Sequence, residues 1–393
     1  MSDQRLAARA SGLKTSAVRE LLKHSKLPGV ISLGGGIPAP ELFDKEGLEL
    51  AVSQVMADNF NDAFQYGLSE GYPALRQAIS QLCHDRGVNC DAGDVYITSG
   101  SQQSLDIVAR TLLDPDDVVI VERPTYLAAL QVFQLAQANI VSVDSDEDGL
   151  NVDQLAEVLK TTKVKIVYLV PTFGNPGGTV LSEARRSKLV ALAQQHDFII
   201  IEDDPYGEIN FTDNRWTTLY QHAINQGCRE RVIYTSTLSK ILAPGMRIGW
   251  LVIPEWLASK AIIVKQATDL HSTSLAQAIT AQYLTLNRLP EQLTQIREFY
   301  RKKCDVLADA MTTHLADHIE FNRPKGGMFL WARFRYDFDT TAWLKQTLEN
   351  GVVFVPGEAF FNDNPDKRTL RLSYSTVSDA DLVTAVERLA RSL

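Results

Sequence analysis

The chain has 393 residues, of which 45% are hydrophobic and 22% charged, and its net charge is −9 at pH 7. This length leaves room for two domains with large cores. The negative charge argues against a surface for nucleic acid or anionic membranes, because both need clustered basic charge. No hydrophobic run reaches membrane-spanning length, the first residues lack an apolar signal segment, and the four cysteines show no metal or redox spacing. We therefore expect a cytoplasmic, enzyme-sized protein.

The N-terminal region is expected to be an arm. Residues 16–22 predict a short helix opened by a serine cap. Residues 31–43 are rich in glycine and proline. Their glycines lack the dinucleotide-binding spacing, and Pro38 and Pro40 prevent the helix that must follow such a loop. Residues 65–76 form a further turn-rich loop that leads into a helix ending near Cys83.

Strands and helices alternate from Asp94 to about Val252. Near-continuous apolar strands separated by helices indicate an α/β fold with a largely parallel sheet covered on both faces. Strands are predicted at residues 95–98, 118–121, 140–143, 166–170, 198–201, 232–236 and 248–252, and helices at 101–113, 126–136, 153–159 and 185–196.

A smaller α+β domain is predicted after about residue 274. Its helices are expected at 275–286, 291–315, 342–349 and 379–391, and its strands at 329–333, 352–355 and 370–374. We expect residues 1–45 to form an arm packed with this domain, residues 46–285 to form the large domain, and residues 286–393 to form the small domain.

Polar residues follow five of the predicted strands at the point where each strand ends. They include Ser101 and Gln102 at a helix N-terminus, where free N–H groups favour an anion. Each group alone could be a helix cap, a turn or a solvated side chain. Ligands of parallel sheets bind outside the carboxyl ends of the strands, so the coincidence predicts a binding site. The five groups are Ser99–Gln103, Arg123–Tyr126, Pro171–Gly178, Glu202–Tyr206 and Thr235–Lys240.

Lys240 follows a strand and a cluster of hydroxyl residues, and Arg247 comes seven residues later. Partial burial and a neighbouring cation disfavour the ammonium, which lowers the pKa of the lysine towards a nucleophilic amine. Thr237, Ser239 and Arg247 are donors that could hold a phosphate close by. An amine beside a phosphate cradle is what pyridoxal phosphate needs. The alternative is a surface lysine after a strand.

Taken together, these segments resemble the fold-type I pyridoxal-phosphate aminotransferases of class I over nearly the full length. Within that group the chain is similar to the kynurenine/2-aminoadipate branch. The resemblance implies the aspartate aminotransferase-like fold, with a mostly parallel large-domain sheet and a small α+β domain. It is carried by residues 16–22 (SAVRELL), 33–43, 65–76, 99–106, 122–126, 171–178 (PTFGNPGG), 202–208 (EDDPYGE), 236–250, 325–331 and 370–375.

The resemblance also implies roles for the polar residues. Lys240 is expected to bind the cofactor covalently and then to move a proton as a general acid–base. Asp203 is expected to pair with the pyridine nitrogen, as a partly buried carboxylate beside a cation with a lowered pKa. Asn175 and Tyr206 are expected to hydrogen-bond the phenolic oxygen of the ring, and Tyr126 to stack on its face. Phosphate is expected to be bound by Ser101, Gln102, Thr237, Ser239 and Arg247.

Substrate and dimer contacts follow from the same resemblance. Arg371 is expected to hold the substrate α-carboxylate through a bidentate fork that lysine cannot reproduce, the alternative being a strand arginine facing solvent. Gly36 is expected to offer its backbone to the substrate, and Arg19 either contacts an acidic side chain or is a surface arginine. The active site is expected at a homodimer interface, where Tyr66 reaches the partner's phosphate and the loop at residues 271–274 lies nearby.

One departure from the branch concerns Gly174 and Gly177, which stand where a larger residue and a threonine are usual. They are expected to remove side chains near the ring edge and to loosen the turn, which puts any borrowed substrate range in doubt. The function expected is transfer of an amino group from an L-amino acid (2-aminoadipate, an aromatic or another bulky donor) to a 2-oxo acid, first of all 2-oxoglutarate.

Three other functions fit parts of the sequence to different degrees. A lyase or decarboxylase using the same cofactor stays open, because Lys240, Asp203 and Arg371 serve any Cα carbanion. A transcriptional regulator with an aminotransferase-like domain needs a basic N-terminal winged-helix module. Only about ninety residues precede Ser99, and the arm accounts for them. The intact set of lysine, aspartate, tyrosine and arginine argues against an inactive relative.

Overall fold

The computed structural model describes residues 6–11 and 27–393, so the helix predicted at residues 16–22 lies outside the described residues. The strands are β1 (Ile31–Ser32), β2 (Val95–Thr98), β3 (Val118–Arg123), β4 (Asn139–Asp146), β5 (Gly149–Leu150), β6 (Ile166–Leu169), β7 (Ile199–Asp203), β8 (Val232–Thr237), β9 (Gly249–Val252), β10 (Ile319–Phe321), β11 (Phe329–Phe334), β12 (Val352–Val353), β13 (Val355–Pro356) and β14 (Thr369–Ser373). The α-helices are α1 (Ala8–Ser11), α2 (Lys45–Asp58), α3 (Phe60–Phe64), α4 (Pro73–Asp85), α5 (Ser101–Leu112), α6 (Leu127–Leu135), α7 (Val152–Val158), α8 (Glu183–His196), α9 (Leu219–Asn225), α10 (Glu255–Asp269), α11 (Ser274–Thr285), α12 (Leu289–Leu315), α13 (Thr340–Glu349) and α14 (Asp379–Arg391).

The central sheet has eight strands in the order β2-β9-β8-β7-β6-β3-β4-β5. Strands β4, β3, β6, β7 and β8 run parallel to their neighbours in this series. Strand β9 is antiparallel to both β2 and β8, so β2 runs in the same direction as β8. The carboxyl ends of the parallel strands therefore meet at one edge of the sheet, which confirms the predicted α/β class.

The strands at the centre of this sheet are buried over their whole length. Every residue of β7 and of β8 is buried, including the polar side chains of Asp203, Thr235 and Thr237. Helices cover both faces of such a sheet, which is why its strands read as near-continuous apolar runs. A polar group placed there must find a hydrogen-bond partner or face a cavity, because unpaired burial is costly.

A second sheet has four antiparallel strands in the order β10-β11-β14-β13. The single strand predicted at residues 352–355 is wrong, because Phe354 interrupts it. Strand β12 pairs in parallel with the arm strand β1, whereas β13 pairs with β14. Leu33 ties the arm to β12 and β14: its N–H donates to Val353 and its carbonyl accepts from Ser373, each at 2.7 Å.

Five helices were not predicted from the sequence, namely α1, α2, α3, α9 and α10. Helix α2 exposes Val52 and Met56 on its outer face, so its apolar residues do not mark a single buried stripe. Helix α10 carries Lys265 at a fully buried position, which breaks the expected pattern. In the part of the chain that the structure describes, no helix is both long and apolar enough to span a membrane.

Candidate active site

A cavity of about 340 Å³ lies at the edge formed by the carboxyl ends of the parallel strands. The predicted site residues that line it are Gly36, Ser101, Gln102, Tyr126, Asn175, Asp203, Tyr206, Thr237, Ser239, Lys240, Arg247 and Arg371. Tyr66 lies outside this cavity, and Arg19 lies outside the described residues. The structure therefore brings together residues that are spread over more than three hundred positions of the chain.

Lys240 ends a short 3₁₀ turn that begins where β8 stops. Thr237 fixes this turn, because its hydroxyl accepts from the N–H of Ser239 at 3.1 Å and donates to the carbonyl of Ile248 at 2.8 Å. The lysine Nζ donates to the carbonyl oxygen of Gly36 at 2.9 Å. Its only close protein partner in the described residues is thus a neutral carbonyl.

The electrostatic surroundings of Lys240 favour the free amine. Burial lowers the pKa of Lys240 to about 8, and the positive charges of Arg371 and Arg247 add to this effect. A lysine with this pKa is partly deprotonated near neutral pH, as a nucleophile or a general base must be. The expected direction of the shift is confirmed.

Asp203 stands at the end of β7 and is only 2% exposed. The hydroxyl of Tyr168 donates to its Oδ2 at 3.0 Å, whereas its buried Oδ1 has no hydrogen-bond partner among the described residues. Burial raises the pKa of Asp203 to about 7, and the charge of Asp204 acts in the same direction. None of these neighbouring side chains is a cation, so a lowered pKa beside the cofactor's ring nitrogen stays a prediction.

The free oxygen of Asp203 tests whether pyridoxal phosphate fits this cavity. A buried carboxylate oxygen without a donor is costly unless a cation or N–H group meets it. A protonated pyridine nitrogen supplies both, so the residue fits the ring of the cofactor. Tyr168 was missed by the sequence analysis, although a tyrosine inside a buried strand next to β7 is a signal that its hydroxyl needs a partner.

The turn at residues 99–102 joins β2 to α5 and packs against Arg247. Gly100 has a φ of +83°, and the guanidinium of Arg247 donates to the carbonyl of Ser99 at 2.9 Å. A Cβ on Gly100 would lie 2.4 Å from a nitrogen of Arg247, and one on Gly249 would lie 2.6 Å from the amide nitrogen of Ser101. Only glycine allows this close approach, which leaves backbone N–H groups and a cation at a helix N-terminus where an anion binds well.

Arg371 lies on β14 and is 3% exposed, so the alternative of a solvent-facing arginine is wrong. Its two terminal nitrogens donate to Asn175 Oδ1 at 2.8 Å and to the carbonyl of Gly34 at 2.7 Å. The guanidinium carbon lies 4.3 Å from the centre of the Phe329 ring and 4.9 Å from that of Phe360. Burial lowers the pKa of Arg371 to about 10, which leaves the cation intact at neutral pH.

The two aromatic rings around Arg371 were not predicted from the sequence. They hold the guanidinium plane through cation–π contacts, while the amide and the carbonyl fix its direction. Tyr206 and Tyr126 line the same cavity as neutral donors, because burial raises the pKa of Tyr206 and raises the pKa of Tyr126 to about 12.

The glycines of the loop at residues 171–178 do not line this cavity. Gly174 and Gly177 line a separate cavity of about 820 Å³ on the other side of the loop, and Asn175 lines both. A Cβ on Gly174 would lie 2.9 Å from the carbonyl of Val170, whereas one on Gly177 would have 3.6 Å to its nearest neighbour. The expectation that both glycines open space beside the ring is therefore wrong. Gly174 is required sterically, and Gly177 has room for a side chain.

Tyr66 is 79% exposed and its ring meets His271 edge-on at 5.8 Å. The N–H of Gly67 donates to His271 Nε2 at 3.3 Å, so the two loops are held together. Tyr66 belongs to an outward surface rather than to the cavity of its own subunit.

The chain belongs to the family described as "Aminotransferase class I and II", which matches residues 35–389. It is a pyridoxal-phosphate-dependent aminotransferase with the aspartate aminotransferase-like fold. It is close to the kynurenine, 2-aminoadipate and aromatic aminotransferases of that family.

Three relatives illustrate this likeness. The chain is 39% identical over 391 residues to aromatic-amino-acid aminotransferase 1 of Thermococcus litoralis, covering 98% of this chain and 93% of the relative. It is 35% identical to the 2-aminoadipate transaminase of Thermus thermophilus, covering 98% and 95%. The solved structure of Pyrococcus horikoshii kynurenine aminotransferase, in complex with PMP, superposes with a TM-score of 0.94 at 37% identity, covering 99% of this chain and 97% of that one.

Proposed function

We propose that this aminotransferase moves the amino group of a bulky L-amino acid to a 2-oxo acid by a ping-pong mechanism. The donor is an aromatic amino acid, kynurenine or 2-aminoadipate, the substrates named for its relatives. The acceptor is 2-oxoglutarate. The observation that carries the proposal is the pairing of Lys240, with its lowered pKa, and the unpartnered oxygen of Asp203 in one cavity.

Pyridoxal phosphate supplies an aldehyde and a ring that takes up the electron pair left when Cα loses its proton. Lys240 is the group that accepts this proton at Nζ and returns it on the cofactor side, so one amine acts as base and acid. Asp203 holds the ring nitrogen through Oδ1, with Tyr168 keeping the carboxylate in place. Asn175 and Tyr206 donate to the phenolic oxygen.

The remaining cavity residues bind and orient. Tyr126 covers one face of the ring, and Arg371 binds the substrate α-carboxylate with a guanidinium already fixed by Asn175 and Gly34. The backbone of Gly36 meets the bound substrate. Arg19 is proposed to contact an acidic substrate side chain. The residues proposed to bind phosphate are Ser101, Gln102, Thr237, Ser239 and Arg247, and residues 99–102 are called the phosphate turn below.

The active form is proposed to be a homodimer with shared active sites. Support comes from exposed apolar side chains on α2, α3 and the segments that hold Tyr66 and His271, each at least 40% exposed. A monomer rarely leaves a large apolar patch uncovered. A second copy that covers these side chains brings Tyr66 to the partner's phosphate. The side chains are Val52, Met56, Phe60, Phe64, Leu68 and Leu270. Sedimentation of the wild type should give a dimer, and Phe64→Glu should give monomers.

The domain division is proposed to be an arm (1–45), a cofactor-binding domain (46–285) and a small domain (286–393). The eight-stranded sheet lies within the second range and the four-stranded sheet within the third, which supports these limits. Strand β1 of the arm pairs with β12 of the small domain, which supports an arm packed against the small domain. Limited proteolysis that cut the chain into stable fragments with other limits would contradict this division.

The experiment that tests the function is the visible spectrum of the purified protein before and after single amino acids are added. The panel is glutamate, 2-aminoadipate, kynurenine, phenylalanine, tyrosine, methionine and alanine, with no oxo acid present. Stable conversion of the bound cofactor to its amine form is expected, and the rates rank the donors. Ammonia release without an acceptor would instead identify a lyase, and loss of carbon dioxide a decarboxylase.

A further inference from the structure

Lys265 is a buried lysine that takes no part in the active site described above. It lies on α10 and is 1% exposed, which is rare for a lysine. Its Nζ donates to Asp269 Oδ1 at 2.8 Å and to the hydroxyl of Ser272 at 3.2 Å. A buried ion pair is weak evidence for stability, since well-packed apolar residues often serve as well. The buried Lys265–Asp269 pair therefore needs an explanation other than stability.

On one side the pair reaches the phosphate turn. The second oxygen of Asp269 accepts from the side-chain amide of Gln103 at 2.6 Å, and the amide oxygen of Gln103 accepts from the N–H of Ser99 at 2.7 Å. The carbonyl of Ser99 is in turn the acceptor for Arg247. Asp269 therefore fixes the backbone from which the anion-binding turn starts.

On the other side the pair reaches the loop at residues 270–273, here called the interface loop. Ser272 holds Lys265 through its hydroxyl, and the carbonyl of Leu270 accepts from the hydroxyl of Ser69 at 2.7 Å. His271 contacts both Gly67 and the ring of Tyr66. The interface loop thus supports the segment that carries Tyr66 and the exposed apolar surface.

We propose that the Lys265–Asp269 pair is a positioning device that joins the phosphate turn to the interface loop, so that cofactor binding and pairing of two chains strengthen each other. This inference rests on the proposed homodimer and on the proposed phosphate contacts. The pair lies between an anion site and a partner surface. Lys265 Nζ donates to Ser272 of the interface loop, and Asp269 Oδ2 accepts from Gln103, which holds the phosphate turn. The hydroxyl of Ser99 lies 3.4 Å from Asp269 Oδ2 and 3.2 Å from the hydroxyl of Ser272, so the turn, the pair and the interface loop meet at this point. If pairing strengthens cofactor binding by some factor, cofactor binding must strengthen pairing by the same factor.

The variant to test is Lys265→Met with Asp269→Asn in one chain. Removing one partner alone would leave an uncompensated buried charge and endanger folding, whereas the double change removes both charges and keeps similar shapes. The matched control is Lys160→Met with Glu157→Gln, an exposed lysine–glutamate pair one helical turn apart, at 2.6 Å. Both variants are purified with cofactor, and part of each is stripped of it.

The measurement is the dimer dissociation constant by sedimentation, with and without pyridoxal phosphate, together with the cofactor dissociation constant at protein concentrations above and below the dimer midpoint. In the wild type and the control, the cofactor is expected to tighten the dimer by a factor of at least about five. In the double variant this factor is expected to fall towards one, whatever happens to either affinity alone.

The outcomes separate the inference from its basis. A wild type that binds the cofactor and dimerises, and whose coupling factor survives in the double variant, overturns the inference alone. A wild-type coupling factor of one does the same, because there is then nothing to transmit. A wild type that stays monomeric or binds no cofactor overturns the proposed assembly or the proposed site, and the inference with it.

Discussion

Lys240, which is partly buried at the cavity, and Lys265, which is fully buried, serve different ends, and their surroundings show why. Burial lowers the pKa of both Lys240 and Lys265. Lys265 meets the carboxylate of Asp269, which opposes the shift and holds the charge. Lys240 meets a neutral carbonyl and two arginines, which increase the shift. The difference teaches that burial alone does not make a lysine reactive. A buried lysine becomes reactive when no carboxylate stands beside it to hold its charge.

The largest expected effect comes from removing the lysine that has no counter-charge. Lys240→Ala should lower kcat by roughly 10⁴-fold or more, because it removes the proposed proton-transfer group and the covalent attachment of the cofactor. The check is steady-state transamination with the best donor from the spectral panel. Lys160→Ala, in an exposed turn just after α7, is the control. Appreciable transamination by Lys240→Ala would show that the wrong lysine has been assigned.

Arg371 is one of the cations that lower the pKa of Lys240, and it is the proposed clamp for the substrate carboxylate. Arg371→Lys keeps a positive charge but loses the fork that Asn175 and Gly34 fix, so kcat/KM should fall by roughly 10²-fold. Steady-state kinetics over a range of donor concentrations measures this. Arg333→Lys on the neighbouring strand β11 is the control, because Arg333 pairs with Asp366 away from the cavity. Equal losses in the two variants would contradict the assignment.

The site around Lys240 could be predicted from the sequence, because the patterns that indicate it are local. Parallel strands are near-continuous apolar runs, and the residues that follow them must meet at one sheet edge. Lys240, Asp203 and Asn175 could therefore be placed in one site before any coordinates existed. Arg371 comes from the second sheet, and only the resemblance to a known family brought it there.

The burial of Lys265 could not be predicted, because its sequence pattern is also that of an exposed ion pair. A lysine four residues before an aspartate in a helix looks like the exposed pair of Lys45 and Glu49 on α2. Only the packing of α10 against the phosphate turn makes the difference. The place of Gly174 and Gly177 relative to the cavity was mispredicted for a similar reason, since the position of a loop residue depends on long-range contacts.

Asp203 is the acidic counterpart of Lys240, since it too is buried without an opposite charge. Its pKa of about 7 lies above the usual value of about 3.9. Between about pH 4 and about pH 7, Asp203 therefore keeps its proton in the folded, cofactor-free protein but has lost it in the unfolded chain. Stability should fall as pH rises from about 4 to about 7.

Asp203→Asn removes this contribution, so the slope should become shallower by up to about 1.4 kcal/mol per pH unit. Glu122 and Glu202, whose pKa values burial also raises to about 7, leave part of the slope in place. Urea unfolding of the cofactor-free protein at several pH values measures it. The exposed Asp317→Asn is the control. An unchanged slope in Asp203→Asn would mean that Asp203 is ionised in the folded state across this range.

The smallest expected effect sharpens the comparison most, because it separates burial from neighbouring charge at Lys240. Capture of pyridoxal, which lacks the phosphate, by cofactor-free protein should rise with pH and be half-maximal near pH 8, where half of Lys240 is free amine. Burial causes most of the lowering of the Lys240 pKa, and the charge of Arg371 contributes more than that of Arg247. Arg247→Gln should therefore raise the midpoint of pyridoxal capture by less than about one pH unit. Using pyridoxal keeps the lost phosphate contact out of the measurement. A midpoint that stays fixed or moves down would mean that the charge of Arg247 does not reach the lysine, and a wild-type midpoint above pH 10 would make Lys240 an ordinary lysine.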